Sequence, residues 1–202
     1  MDRQHWEDVY ASKGPAEVSW TQGSLEPSLQ RIRAAGLSDE AAIVDVGGGF
    51  SCLAGELIDL GFSDITVVDL AQAALDAARS NLGGRATPVR FLRADVTQWR
   101  PDRVFDLWHD RAVFHFLTEP ADRARYLAAL EVGLKPGGRL VLAAFAPDGP
   151  ERCSGLPVRR WAAEALAAEL GSGFELIEDA REEHHTPWGS VQPFTWTTFR
   201  RA

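Results

Sequence analysis

The segment Ile43-Val44-Asp45-Val46-Gly47-Gly48-Gly49-Phe50-Ser51 constrains the fold of this chain more than any other. An apolar run around Asp45 reads as a buried strand, the three glycines as a turn, and Ser51 as the start of a helix. Glycine lets a main chain take unusual angles and approach a ligand closely. A second apolar run, Ile65-Thr66-Val67-Val68, ends on Asp69. From Gly49 to Asp69 is 69 − 49 = 20 residues, close to the roughly 20 at which an acid reaches a nucleoside ribose in a doubly wound fold. The pair predicts an adenosine-containing cofactor.

Strand and helix patterns then alternate. The spacing predicts strands over 42–46, 64–69, 89–94, 103–109 and 139–145, with helices over 51–60, 71–82 and 120–134 between them. Gly61, Gly83-Gly84 and Lys135-Pro136-Gly137-Gly138 stop those helices. A helix over 158–170 and strands over 174–182 and 191–200 follow, the strands joined by the turn-rich residues 184–190. Ahead of the alternation, residues 1–23 carry Trp6, Tyr10, Trp20 and Gly14-Pro15, and a helix over 26–35 stops at Gly36. Such a pattern implies an α/β fold with a parallel sheet between two helical layers. Ligands of such folds sit at the carboxyl ends of the strands. Gly47, Gly48, Gly49, Ser51, Asp69 with Leu70 beside it, Asp95 and Asp110 are therefore expected to converge on one crevice. We read 1–202 as a single domain, with 1–36 a helical cap and 37–202 the core.

A chain of 202 residues, 45% of them hydrophobic, suits one globular domain with a substantial core. The net charge is −8 and the basic residues are scattered, with Lys13 and Lys135 the only lysines. Nucleic acid and anionic membranes are therefore not expected partners. No apolar stretch is long enough to cross a bilayer, and the first residues show no secretory pattern, so a cytoplasmic protein is expected. Cys52 and Cys153 form no disulfide framework, and Cys153 with His184 and His185 matches no zinc spacing, so no metal is expected. The oligomeric state is not legible.

Three cofactor classes compete for the glycine turn. A dinucleotide requires glycine or alanine at the last position of G-x-G-x-x-G, where this chain has Cys52. A phosphate-binding P-loop requires Gly-Lys-Ser or Gly-Lys-Thr, which is absent. A glycine loop and an acidic strand end without a phosphate signature suit S-adenosylmethionine, which carries no phosphate.

These residues resemble class I S-adenosylmethionine-dependent methyltransferases from about residue 42 onward. Val44-Asp45-Val46-Gly47-Gly48-Gly49 looks like that family's first motif, Asp69 like its ribose-binding acid, and Leu134–Leu140 like the turn into its fifth strand. Ala94-Asp95-Val96 is similar to the segment that holds the adenine. The resemblance implies a Rossmann-like sandwich whose seven-stranded sheet has an antiparallel last strand, in agreement with the two closing strands. Asp45 is either a direct cofactor contact or a partner of the loop backbone.

On the acceptor side, Trp108-His109-Asp110-Arg111-Ala112 is similar to a segment of thiopurine methyltransferases, as are Glu182–Gly189 and the opening His5–Tyr10. In that family the arginine matching Arg111 lies near the substrate. An extra histidine precedes Asp110 here, and the glycine motif is the standard one, which thiopurine enzymes lack. His109, Asp110 and Arg111 are the candidate catalytic residues, and Asp110 also a cofactor contact. His109 suits a general base near neutral pH; the alternative is a hydrogen-bonded structural histidine. Arg111 suits an anionic substrate or an ion pair with an acid such as Asp110. His115, between Phe114 and Phe116, is read as packing or pocket lining. Cys153 lies in a loop after strand five that could border the acceptor; the alternative is a free buried cysteine. Trp6 and Trp20 suit a lid, because a sulfonium is attracted to aromatic faces, or core packing. The expected activity is methyl transfer to a small molecule, a thiol or related soft nucleophile. The competing readings are a protein lysine methyltransferase, which the Trp6–Tyr10 spacing also suits, a catalytically silent cofactor-binding module, and a nicotinamide oxidoreductase, which Cys52 disfavours.

Overall fold

The computed structural model describes residues 2–14 and 17–202, so Pro15 of the Gly14-Pro15 turn lies outside the described residues. Helix α1 (Arg3–Ser12) and helix α2 (Glu26–Ala34) precede the sheet. The alternation then runs β1 (Ala42–Val46), α3 (Leu53–Asp59), β2 (Asp64–Asp69), α4 (Gln72–Leu82), β3 (Val89–Arg93), β4 (Phe105–Arg111), α5 (Pro120–Gly133) and β5 (Leu134–Phe145). A short hairpin, β6 (Arg152–Cys153) and β7 (Leu156–Pro157), is followed by α6 (Ala163–Leu170), β8 (Phe174–His185) and β9 (Val191–Arg201).

Seven strands form one sheet in the order β3-β2-β1-β4-β5-β9-β8. The first five neighbours pair in parallel, and β9 is antiparallel to both β5 and β8. This is the expected seven-stranded, mostly parallel sheet with an antiparallel last strand. Alternate side chains on the strands build two cores. Trp108, Tyr126, Leu130, Trp161 and Phe199 pack on one face beneath α5 and α6; Ile32, Ile43, Leu57, Leu107 and Trp196 pack on the other beneath α2, α3 and α4. No helix among the described residues is long and apolar enough to cross a membrane.

Several boundaries differ from the sequence reading. β5 begins at Leu134 rather than 139, so that 135–138 lie in the strand, and β8 runs to His185 rather than 182. Strand β4 runs to Arg111 rather than 109, because His109, Asp110 and Arg111 pair with Val141, Leu142 and Ala143 of β5. Helix α6 begins at Ala163 rather than 158, because Arg159 N–H donates to His115 O (2.8 Å) and Trp161 N–H to Phe145 O (2.7 Å), which holds 159–161 extended. The β6–β7 hairpin gave no periodic signal; its turn is Ser154 and Gly155, at φ 49° and 77°.

Helix α4 has no side-chain cap from its own chain neighbours. The cap comes from α1: Glu7 Oε1 accepts from Gln72 N–H (2.8 Å) and Oε2 from Ala73 N–H (3.1 Å). A carboxylate there satisfies two orphan donors and complements the helix dipole. Trp6 packs beside it on Leu70, Ala71 and Ala74. Glu7 thus straps α1 over the end of β2. Replacing Glu7 by alanine is expected to lower stability by about 1 kcal/mol in urea unfolding and to speed amide exchange along α1. Unchanged exchange there would refute the strap.

Candidate active site

The carboxyl ends of β1, β2 and β4 open on one cleft of about 600 Å³. It lies between β1 and β4, where the strand order reverses, the place where doubly wound folds bind ligands. The glycine turn forms part of its wall. Gly47 has φ +73° and donates its N–H to Val68 O (2.7 Å). A Cβ on Gly48 would lie 2.2 Å from Asp45 Oδ2, and one on Gly49 2.3 Å from Ala74 Cβ and 2.7 Å from Asp69 Oδ2. Glycine is what allows the turn to rest against two carboxylates.

Asp69 closes β2 with both oxygens anchored. Oδ2 accepts from Gly49 N–H (3.1 Å) and Oδ1 from Ala71 N–H (2.9 Å). Burial pushes its carboxyl up to about 6, against the pull of these backbone donors. Asp69, Leu70, Ser51 and Val96 all line the cleft. Asp95 does not: its Oδ1 accepts from the N–H (2.9 Å) and the hydroxyl (2.7 Å) of Thr97, and the wall there is made by Ala94 and Val96.

His109 sits opposite Asp45 in the β1–β4 ladder. Its Nδ1–H donates to Asp45 Oδ1 (2.7 Å), and its Nε2 accepts from the Ser28 hydroxyl of α2 (3.0 Å). Both ring nitrogens are engaged, so His109 is the hydrogen-bonded histidine rather than a free base. The order Ser28–His109–Asp45 is that of a nucleophilic relay, but Ser28 is 1% exposed and lies off the cleft wall. What the relay leaves open is Asp45 Oδ2, a buried acceptor without a partner beside Gly48.

Asp110 is the clearest departure from the sequence reading. Successive strand residues point to opposite faces, so Asp110 turns away from the cleft while His109 and Arg111 face it. Its Oδ1 accepts from Val113 N–H (2.9 Å) and Phe114 N–H (3.3 Å), and its Oδ2 from the Tyr126 hydroxyl (2.8 Å). It is wholly buried, burial pushes its carboxyl up to about 6, and it does not line the cleft. Nor does it pair with Arg111.

Arg111 lines the cleft, with Nη1–H donating to Trp20 O (3.0 Å) and the guanidinium carbon 4.6 Å from the Phe194 ring centre. Burial lowers it to about 10, opposed by Glu182. His115 is fully buried against Phe116 and Phe145 and accepts at Nδ1 from Phe145 N–H (3.4 Å). Burial and then Arg111 push it down to about 3, so it is neutral packing off the cleft wall. Cys153 does line the cleft; burial raises its thiol to about 11, so it carries no thiolate near neutral pH.

Aromatic rings roof this end. Trp6 stands edge-on to Trp20 (5.7 Å) and Phe116 (5.1 Å), and Tyr10 edge-on to Phe50 (4.8 Å). The sequence assigns neither Phe50 nor Phe116 to the site, and marks Tyr10 only by its spacing from Trp6. Tyr10 was legible, being four residues from Trp6 and so on the same face of α1; Ser28 gave no signal. Among the described residues no group of three or more His, Cys, Asp or Glu side chains gathers as a metal site.

A doubly wound sheet with a glycine turn, an acid at the second strand end and no phosphate signature defines a nucleoside-type site. Residues 43–138 match a family model described as a methyltransferase domain. Those residues thus resemble a methyltransferase domain, and the chain has the fold of solved S-adenosylmethionine-dependent methyltransferases, whose cofactor is S-adenosylmethionine. The residues present fit that cofactor: Asp45 Oδ2 is an unpaired acceptor at the turn, and the aromatic roof suits a sulfonium. Among curated relatives, the mouse (Mus musculus) eEF1A lysine and N-terminal methyltransferase is 24% identical over 149 residues, 70% of this chain and 21% of that one. This chain thus spans about a fifth of that relative's length. A solved structure from work on the conversion of a disulfide bond into a thioacetal group in echinomycin biosynthesis has a TM-score of 0.77 at 21% identity, covering 98% of this chain and 92% of that one. The Burkholderia thailandensis 1,6-didemethyltoxoflavin-N1-methyltransferase, solved with bound 1,6-didemethyltoxoflavin and S-adenosylhomocysteine, has a TM-score of 0.70 at 22% identity, covering 99% of this chain and 84% of that one.

Proposed function

We propose that the chain methylates a small molecule bearing a thiol or a related soft nucleophile, with residues 1–36 as the lid of a single domain. The observation that carries this reading is the aromatic roof. Trp6, Tyr10, Trp20 and Phe116 cover a cleft of about 600 Å³ that must hold cofactor and acceptor together, which favours a small acceptor. Three clamps hold the roof: Glu7 on α4, His184 Nε2–H donating to Ser19 O (2.6 Å), and Arg111 on Trp20 O.

Asp69 is the proposed ribose acceptor, Asp45 Oδ2 a further cofactor contact, and Gly47, Gly48, Ser51, Leu70 and Val96 the surrounding wall. When bound, S-adenosylmethionine supplies an electrophilic methyl carbon. The chain's own residues exclude water and hold the acceptor close. They supply no free imidazole base, since both nitrogens of His109 are engaged and His115 lies off the wall. A soft nucleophile such as a thiol, which reacts through the few per cent of thiolate present near neutral pH, needs none. The sulfur chemistry named for the echinomycin-related structure agrees with this reading.

The test is turnover with methyl-labelled cofactor on a panel of thiols and selenols, read in the small-molecule fraction. We expect label on one or more of them. Label confined to a protein band of a lysate would instead support a protein lysine methyltransferase, the reading that the mouse relative favours.

A further inference from the structure

We propose that the acceptor carries a carboxylate and that Arg111 holds it through Nε and Nη2; this rests on the small-molecule reading of the cleft. The geometry is that of a fork whose two remaining donors are unpaired. Nη1 is used on Trp20 O, and the Phe194 ring under the guanidinium fixes its plane. Nε and Nη2 are shielded from solvent and have no hydrogen-bond partner. Among the described residues no salt bridge joins Arg111 to a carboxylate within 4.0 Å. The acid that acts on it electrostatically, Glu182, has its Oε2 accepting from Trp196 Nε1–H (2.6 Å).

A cation taken out of water without a counter-charge is costly unless a ligand completes it. Neighbouring Nε–H and Nη–H groups of a planar guanidinium match the two oxygens of a carboxylate. Because Trp20 and Phe194 already hold the side chain, little rotamer freedom is left to lose on binding. The remaining neighbours do not compete for the fork. Cys153 is a neutral thiol, His184 is pushed down by burial and then by Arg111 and is committed to Ser19 O, and His115 is neutral. A single guanidinium in an aromatic wall suits a monoanion such as a mercapto-acid. The carboxylate would then sit on the same guanidinium that clamps the lid, so acceptor binding and lid closure would support each other.

Calorimetry in the presence of S-adenosylhomocysteine tests this without turnover. The probes are benzoate, 3-phenylpropionate and 3-mercaptopropionate, each against its amide, on the wild type, Arg111→Gln and Arg111→Lys. At least one acid is expected to bind the wild type about tenfold or more tighter than its amide. Arg111→Gln should abolish the preference, and Arg111→Lys should keep only part of it because the fork is lost. S-adenosylhomocysteine is kept saturating for each protein, and far-UV circular dichroism of all three reports that the lysine and glutamine variants are folded. No acid preference in the wild type, or a preference that survives in Arg111→Gln, overturns the proposal. If the acids bind as expected while no thiol is methylated, the thiol reading fails and the carboxylate anchor stands.

Discussion

Replacing Asp69 by alanine is expected to weaken S-adenosylhomocysteine binding by at least about 100-fold in calorimetry. Both carboxylate oxygens are held at the end of β2 by Gly49 and Ala71, so the group is aimed into the cleft before a ligand arrives. Two charge-assisted hydrogen bonds to ribose hydroxyls, at about 1.5 kcal/mol or more each, amount to roughly two orders of magnitude in affinity. Unchanged affinity in the alanine variant would remove Asp69 from the cofactor site. The pH dependence gives a second check. Burial raises this carboxyl to about 6, above its ordinary unfolded value of about 3.9. Its contribution to stability is therefore fully present below the unfolded value and is lost as pH rises through about 6. Cofactor binding needs the ionised form as acceptor and runs the other way. Between pH 7.5 and 5 the wild type is expected to lose cofactor affinity while this group makes the free protein more stable. In Asp69→Ala the affinity change with pH should be largely gone.

The cleft was legible because its wall is local in sequence: one strand, one glycine turn and the acid ending the next strand. β1 and β2 have the bounds that their apolar runs predict. The acceptor side was less legible because it depends on where β4 stops. If the strand ended at 109, then His109, Asp110 and Arg111 could all serve the site; with pairing to β5 through Arg111, alternation sends Asp110 to the opposite face. That boundary is set by Val141–Ala143, some 30 residues away, and no local pattern carries it. The same fact limits the motif resemblance. In Trp108-His109-Asp110-Arg111-Ala112, Trp108 and Asp110 belong to the α5-facing core, so the motif reports packing as well as substrate. Of the partners of His109 and Arg111, Ser28, Trp20 O and Phe194 come from α2, the segment before it and β9. Such long-range contacts leave no periodic trace.

Asp110→Ala is expected to act on folding and not on the reaction. The alanine leaves the Val113 and Phe114 N–H groups and the Tyr126 hydroxyl without their carboxylate, in a core that also takes the Trp108 Nε1–H onto Tyr126 (3.0 Å). Each orphaned buried group costs about 1–3 kcal/mol. Against this stands relief of the burial penalty that holds Asp110 at about 6, so a net loss of roughly 3 kcal/mol is expected near neutral pH. For a chain of this size that corresponds to a fall in Tm of about 6–12 °C. Tyr126→Phe should lose less, about 2 kcal/mol, because the bond to Asp110 and the acceptor of the Trp108 Nε1–H both go while the two backbone N–H groups keep their acceptor. The two changes should be coupled in a double-mutant cycle, since they share the hydroxyl–carboxylate bond. In the folded fraction, S-adenosylhomocysteine affinity should stay within about threefold of wild type, because Asp110 faces the opposite layer. An unchanged Tm together with lost turnover would return Asp110 to the reaction and would mean that β4 turns its alternate side chains the other way.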